Sequence, residues 1–137
     1  MIKDFINKID KFSTSSQTLA YIGDAVYDLY IRLYLVSKNN GKTGYIHKQA
    51  TKFVSAKAQS YIIDNIYNDF SEDEIEVFKR GRNHNIDNIK KNVDITEYKK
   101  ATGFECIIGY LYLNNFTLRL EELIKSSINI IESKECI

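Results

Sequence analysis

Leu19-Ala20-Tyr21-Ile22-Gly23-Asp24-Ala25-Val26-Tyr27-Asp28 reads as the middle of a long helix that carries an acid where its neighbours are nearly all apolar. An isolated ionised carboxylate is costly to bury, so something must compensate Asp24. The same anomaly recurs downstream in Gly103-Phe104-Glu105-Cys106-Ile107-Ile108-Gly109-Tyr110-Leu111, an otherwise hydrophobic helix. Gly23 beside Asp24, and Gly109 one turn beyond Glu105, remove side-chain bulk and would let the two helices approach closely, despite the helix-propensity penalty of glycine. Two such acids suggest one shared site, in which a metal ion satisfies both. Hard oxygen ligands with water completing the shell suit magnesium or manganese. The alternative is that each acid accepts hydrogen bonds from a nearby Lys, Arg or backbone group, or reaches the surface. Asp28, one turn after Asp24, could join a metal site or decorate an exposed stripe, and the second use is favoured.

Working outward, the chain reads as all-α. Proline is absent from its 137 residues and glycine is scarce, so nothing interrupts extended helices. The Ser13-Thr14-Ser15-Ser16 cluster offers caps for a helix that runs through Asp24 to about Ser37, and Asn39-Asn40-Gly41 stops it. A shorter helix is expected over Tyr45 to Phe53, and Ser55 caps the next, through Ala58 and Ile62 to Tyr67. Ser71 with Glu74 forms a capping box for a helix ending near Arg82, and Asp94 with Glu97 makes a comparable start for the helix from Ile95 to Leu113. Between them, His84 to Val93 is polar and expected to be an exposed loop. Asn115 or Thr117 caps a final amphipathic helix with Leu118, Leu120, Leu123, Ile124, Ile128 and Ile131 as core candidates. The N-terminal stretch places Ile2, Phe5, Ile6 and Ile9 on one helical face. The length fits one compact domain over 1–137, with terminal helices at about 1–12 and 117–133.

The longest apolar stretch, Gly103 to Leu113, contains Glu105 and falls well short of the roughly 20 residues that span a bilayer, so no membrane association is expected. The N-terminus lacks the apolar core of a secretion signal, which predicts a cytoplasmic protein. The two cysteines, Cys106 and Cys136, give neither a disulfide framework nor zinc-ligand spacing. A formal net charge of +1 conceals an uneven distribution. No acid occurs between Leu29 and Ile63, where Arg32, Lys38, Lys42, Lys48, Lys52 and Lys57 stand. From Lys79 to Lys100, seven basic residues face Asp87, Asp94 and Glu97. The compensating acids cluster in Asp64, Asp69, Glu72, Asp73, Glu74 and Glu76. Such a pattern fits either a polyanion-binding face or solvated helix surfaces.

Segment 19–28, built around its Gly-Asp pair, resembles the signature of the ribonuclease III family, and Phe104 to Leu111 is similar to that family's second acidic motif. Ile46-His47-Lys48, Val54-Ser55-Ala56-Lys57-Ala58-Gln59 and Lys79-Arg80-Gly81-Arg82-Asn83 resemble its Mini-III branch, whose members have the catalytic domain without a separate double-stranded-RNA-binding domain. The resemblance covers about 19–113. It implies a ribonuclease III-type helical endonuclease domain that cuts double-stranded RNA with Mg2+, or Mn2+, and leaves 5′-phosphates. It also implies a homodimer with the duplex laid across a valley between subunits, and large-subunit (23S) ribosomal RNA precursor as substrate. Asp24 and Glu105 take the two central acidic positions, as catalytic and metal-binding residues. The broader family carries further acids four residues before the first and three before the second, where this chain has Ala20 and Thr102, a departure the Mini-III branch shares. Thr102 can still position a water.

Duplex RNA hides its base edges, so contact should rest on phosphates, 2′-hydroxyls and shape. The RNA-binding candidates are Lys48, Lys52, Lys57, Lys79, Arg80, Arg82, Asn83, Lys90 and Lys91. The arginines can grip phosphate oxygens bidentately, whereas the lysines act as point charges. His47 and His84 read as surface or packing residues, since metal-assisted hydrolysis requires no imidazole base. The competing reading is a non-catalytic RNA-binding or ribosome-associated protein that keeps a nuclease-like fold.

Overall fold

A computed structural model describes residues 1–38, 41–84 and 94–135. Its elements are α1 (Ile2–Asn7), α2 (Ser16–Lys38), α3 (Thr43–Val54), α4 (Ala56–Ile66), a 3-10 turn (Tyr67–Asp69), α5 (Glu72–Arg82), α6 (Ile95–Leu113) and α7 (Thr117–Glu135), with no strand among the described residues. The all-α class therefore holds. α6 is the axis of the bundle, packed against α2, α5, α4 and α7. It can be central because it is apolar all round: from Ala101 to Leu113 it buries nine residues, Phe104, Ile107 and Ile108 completely. α2 turns one face inward through Leu19, Gly23, Tyr27 and Ile31, each four residues from the last. Tyr27 packs edge-on against Phe104 at 5.0 Å and donates its hydroxyl to the carbonyl of Phe53 at 3.0 Å, which ties α2 to both α6 and α3.

The capping signals are used as the sequence implies. Ser15 Oγ accepts from the Thr18 amide at the start of α2, Ser55 Oγ from Ala58 and Asp94 Oδ1 from Thr96 and Glu97. Ser71 and Glu74 form a complete capping box. Two residues with one expected role have another. Asn115, at φ 60°, closes α6 rather than opening α7: Phe116 N–H bonds to the Leu111 carbonyl and Asn115 N–H to the Tyr112 carbonyl, a Schellman closure that suits asparagine's tolerance of the left-handed region. Thr117 is already the first residue of α7.

Two expectations fail for local reasons. The N-terminal helix stops at Asn7 instead of about residue 12, because Asp10 takes the Phe12 amide on its carboxylate and the Thr14 hydroxyl on its carbonyl, forming a turn. α1 buries none of its residues, Ile2 and Phe5 being exposed. Leu118 is 87% exposed rather than in the core. At about 100° per residue it lies far round α7 from Leu120, which with Leu123, Ile124 and Ile131 defines the buried stripe. The expected stop at Asn39-Asn40 and most of the expected loop, 85–93, lie outside the described residues.

Candidate active site

The site is set by how closely two backbones approach. A Cβ placed on Gly23 would lie 1.8 Å from the carbonyl oxygen of Glu105, and one on Gly109 would lie 2.1 Å from the carbonyl oxygen of Leu19. Only glycine at both positions allows α2 and α6 to touch main chain to main chain. The two helices share the most extensive contact in the molecule. That register brings the Asp24 and Glu105 carboxylates together, as the glycine–acid pairs suggest.

Asp24 is exposed and Glu105 half-buried. Burial pushes the Glu105 carboxyl up to about 9, helped by its hydrogen bond to Asp24 and by the Asp24 charge, while a hydrogen bond from Gln59 pulls it back. No Lys or Arg forms an ion pair with either acid among the described residues. Among the described residues, then, no basic side chain neutralises either acid; Asp24 instead reaches the surface, where water solvates it, and the cost of burial falls on Glu105. Asp28 follows the ordinary course: it pairs with Arg32 one turn on, at 2.7 Å, along the exposed side of α2.

Beside Glu105 opens a pocket of about 190 Å³ lined by Val54, Ala56, Gln59, Tyr98, Ala101, Thr102 and Glu105. Its volume has room for several waters at roughly 30 Å³ each. Thr102 donates its hydroxyl to the Tyr98 carbonyl, leaving its oxygen lone pairs available. No group of three or more His, Cys, Asp or Glu side chains gathers among the described residues. Two carboxylates, a hydroxyl and room for water form an all-oxygen donor set with few protein ligands, which fits a cation that keeps much of its own hydration, as magnesium does. Gln59 is the participant that sequence reasoning missed. It stands within a motif used for the resemblance, and the available signal was a long polar side chain in the inward run Ala58-Gln59-Ser60, all three of which are buried.

The basic candidates divide into two groups. Lys48 and Lys52 lie exposed on α3 and Lys57 exposed at the start of α4. Lys79, Arg80 and Arg82 occupy the last turn of α5, with Asn83 as its C-cap. Part of the charge asymmetry here is helix electrostatics, since α5 carries Glu72, Asp73 and Glu74 in its first turn and its cations in its last. Arg80 donates to the Thr14 carbonyl at 3.3 Å, and Arg82 lies over the Phe78 ring while donating to Asn83 Oδ1. Lys90 and Lys91 lie outside the described residues. Cys106 is buried, donates to the Ser16 carbonyl and is pushed up to about 12 by burial and the neighbouring Glu105 charge, so its thiol stays protonated. Cys136 lies outside the described residues. No helix among the described residues is long and apolar enough to cross a membrane.

Comparison with known proteins converges on one family. Residues 17–115 match the Ribonuclease III domain. The chain is 52% identical over 115 residues to a Mini-ribonuclease 3 of Clostridium tetani, covering 83% of this chain and 76% of that one. It is 40% identical over 129 residues to the Mini-ribonuclease 3 of a Thermoanaerobacter species, covering 94% and 91%. A crystal structure of a Fusobacterium nucleatum protein superposes with a TM-score of 0.79 at 32% identity, over 85% of this chain and 93% of that one.

Proposed function

The chain belongs to the ribonuclease III family, in its Mini-ribonuclease 3 branch, and from that premise we propose that it cuts double-stranded RNA at the Asp24–Glu105 pair with the help of a divalent cation. The observation that carries the site assignment is the seam itself. Gly23 and Gly109 give up their side chains so that two helices meet, and the contact brings together two carboxyl groups that resist ionising together unless a cation lies between them.

In this reading Asp24, at the solvent edge, and Glu105, behind it, hold the cation through carboxylate oxygens. When bound, a magnesium or manganese ion lowers the pKa of water and offsets charge developing on the scissile phosphate. The protein supplies the rest. The rigid seam fixes both carboxylates on helices rather than loops, which keeps the ligand geometry in place through the reaction. The pocket beside Glu105 and Thr102 gives water a place to stand on the protein side, and the product carries a 5′-phosphate. RNA contacts are assigned to Lys48, Lys52, Lys57, Lys79, Arg80, Arg82, Asn83, Lys90 and Lys91, acting on the backbone rather than on base edges.

A homodimer is part of the proposal. Along the helix that carries Asp24, α2 leaves Tyr21 78%, Leu29 57%, Leu33 58% and Val36 48% exposed, with Leu29, Leu33 and Val36 forming an apolar stripe turned away from Asp24. Exposed patches of this kind mark interaction surfaces, and a second copy of the chain is the occupant proposed for this one, giving an assembly with two Asp24–Glu105 sites. Large-subunit ribosomal RNA precursor is the substrate the branch suggests, and the cytoplasm the compartment.

The test is cleavage of a long duplex RNA with and without Mg2+ by the wild type, Asp24→Asn and Glu105→Gln. Both variants should keep the fold and lose at least about 1,000-fold in rate, given the several kcal/mol of charge stabilisation at stake. Wild-type rates in a folded variant would overturn the assignment of that residue. Tight, salt-sensitive binding of duplex by a wild type that never cuts would favour the non-catalytic RNA-binding protein instead.

A further inference from the structure

We propose that Gln59 is a positioning residue of this site: its amide nitrogen, anchored on Val54, steadies the Glu105 carboxylate, and its Oε1 accepts a hydrogen bond from water surrounding a divalent ion held by Asp24 and Glu105. The inference rests on the function proposed above and adds a third, neutral side chain to the pair.

Gln59 is 2% exposed, on the inward face of α4. A carboxamide brings two donor hydrogens and an acceptor oxygen. Its Nε2 lies 3.0 Å from the carbonyl oxygen of Val54. A carbonyl can only accept, so the chemistry of that partner fixes which end of the amide is nitrogen. The amide also neighbours Glu105, on whose carboxyl it acts to favour the charged form. That leaves Oε1, which is buried and has no hydrogen-bond partner among the described residues. Leaving a buried acceptor unmade costs about 1–3 kcal/mol, and an orphan of this kind in a native interior calls for a water or ion to complete it. The side chain borders the water-sized pocket it shares with Thr102 and Glu105.

The residue type is what this place requires. Glutamate at 59 would add a third negative charge to two that already repel, and its ionised form could not donate to Val54. Leucine would fill the volume and offer nothing to Glu105 or to water. Ala20 and Thr102, the other residues one turn before the two acids, carry no charge, so a neutral oxygen held rigidly at the α3–α4 junction is the additional polar group the site can use. The competing explanation is that Gln59 only ties off the Val54 carbonyl where α3 breaks into α4.

The two explanations separate on metal affinity. Mn2+ binding is followed by electron paramagnetic resonance for the wild type, Gln59→Leu and Asp24→Asn, with each protein also melted in EDTA and in 1 mM Mn2+. Gln59→Leu should weaken Mn2+ binding about 10–100-fold, the usual effect of losing a group that orients a ligand, and the rise in melting temperature from EDTA to Mn2+ should shrink in step. A lower melting point in EDTA with unchanged Mn2+ affinity would make Gln59 structural and overturn the proposal. Should Gln59→Leu fail to fold, the wild type decides: the side-chain amide resonances of Gln59 should move on titration with Mg2+, and their standing still would overturn it. If the wild type binds no Mn2+, or Asp24→Asn binds it equally well, the Asp24–Glu105 reading falls and this inference with it. If only Gln59→Leu behaves as wild type, the pair stands and Gln59 is removed from it.

Discussion

Glu74, at the start of α5, and Glu105, in the middle of α6, are both acids carried into a helical interior, and their surroundings are opposites. Glu74 is 4% exposed and fully provided for. Arg119 of α7 meets both of its oxygens at 2.9 Å, and the Ser71 amide donates to it at 3.0 Å. Burial alone would raise this carboxyl, but the hydrogen bonds and charge of Arg119 and the Ser71 amide hold it below the usual carboxylate range. Glu105 has a second carboxylate for a neighbour and one amide to offset it, and it is pushed up to about 9. A buried acid whose partners are all present completes a corner of the fold. One whose principal neighbour shares its charge is unfinished until a cation arrives, and that separates a structural carboxylate from a chemical one.

The sharpest way to break the comparison is to pry open the seam that creates the Glu105 environment. Gly23→Ala would drive a methyl group to within 1.8 Å of main chain, which no rotamer change relieves, so α2 and α6 must move apart. The expected cost is about 3 kcal/mol or more, at the upper end for overpacking, with loss of cleavage because the carboxylates separate. Gly44→Ala in α3 is the control: nothing lies within 4 Å of its added Cβ, and helix propensity predicts a gain of up to about 1 kcal/mol. Denaturant midpoints for the two variants check this. Equal effects would mean that the close approach of the helices does not set the site.

What was legible in the sequence follows the range of each interaction. Capping serines, the Ser71–Glu74 box and the spacing of Leu19, Gly23, Tyr27 and Ile31 depend on residues a few positions apart, and they read correctly. The meeting of Asp24 with Glu105 was legible across 81 positions only because each acid brought a glycine with it, a paired signature of close packing. Nothing local announced that Arg119 would reach back 45 residues to Glu74, so that acid read as part of a compensating cluster. Tyr21, Tyr27, Tyr30 and Tyr34 share one helix but not one environment. Tyr27 is buried in the core, Tyr30 and Tyr34 pair with Glu121 and Glu132 of α7, and Tyr21 is exposed, because the phase of α2 against α6 decides among residues of one type.

Removing one carboxylate charge from each corner should shift stability in opposite directions. Glu74→Gln leaves Arg119 without its partner, and Arg119 is partly exposed, so the expected loss is about 2–3 kcal/mol at pH 7, below the range for a fully buried pair. The sign follows from linkage. Because the folded carboxyl sits below its unfolded value, its contribution is present above that value, near 4.5, and is lost as pH falls through the folded one. Urea melts at pH 7 and pH 3 should therefore show a wide gap between wild type and variant that narrows in acid. A gap independent of pH would point to packing rather than charge.

Glu105→Gln, measured in EDTA, should do the reverse and by less. With the folded carboxyl at about 9 and the unfolded one near 4.5, the wild-type fold holds a proton that the unfolded chain releases, so metal-free stability falls as pH rises from about 4.5 towards 9. Glutamine has no proton to take up on folding, so the metal-free variant should be more stable than wild type at pH 8, by about 1–2 kcal/mol once solvent access at the half-buried site is allowed for. The advantage should disappear near pH 4. Millimolar Mg2+ should then reverse the ranking at pH 8, because the wild type gains binding energy that the variant has given up. A Glu105→Gln protein that is less stable than wild type in EDTA at pH 8 would place Glu105 with Glu74, as an acid whose partners are already in the fold, and would remove the reason for expecting a cation between α2 and α6.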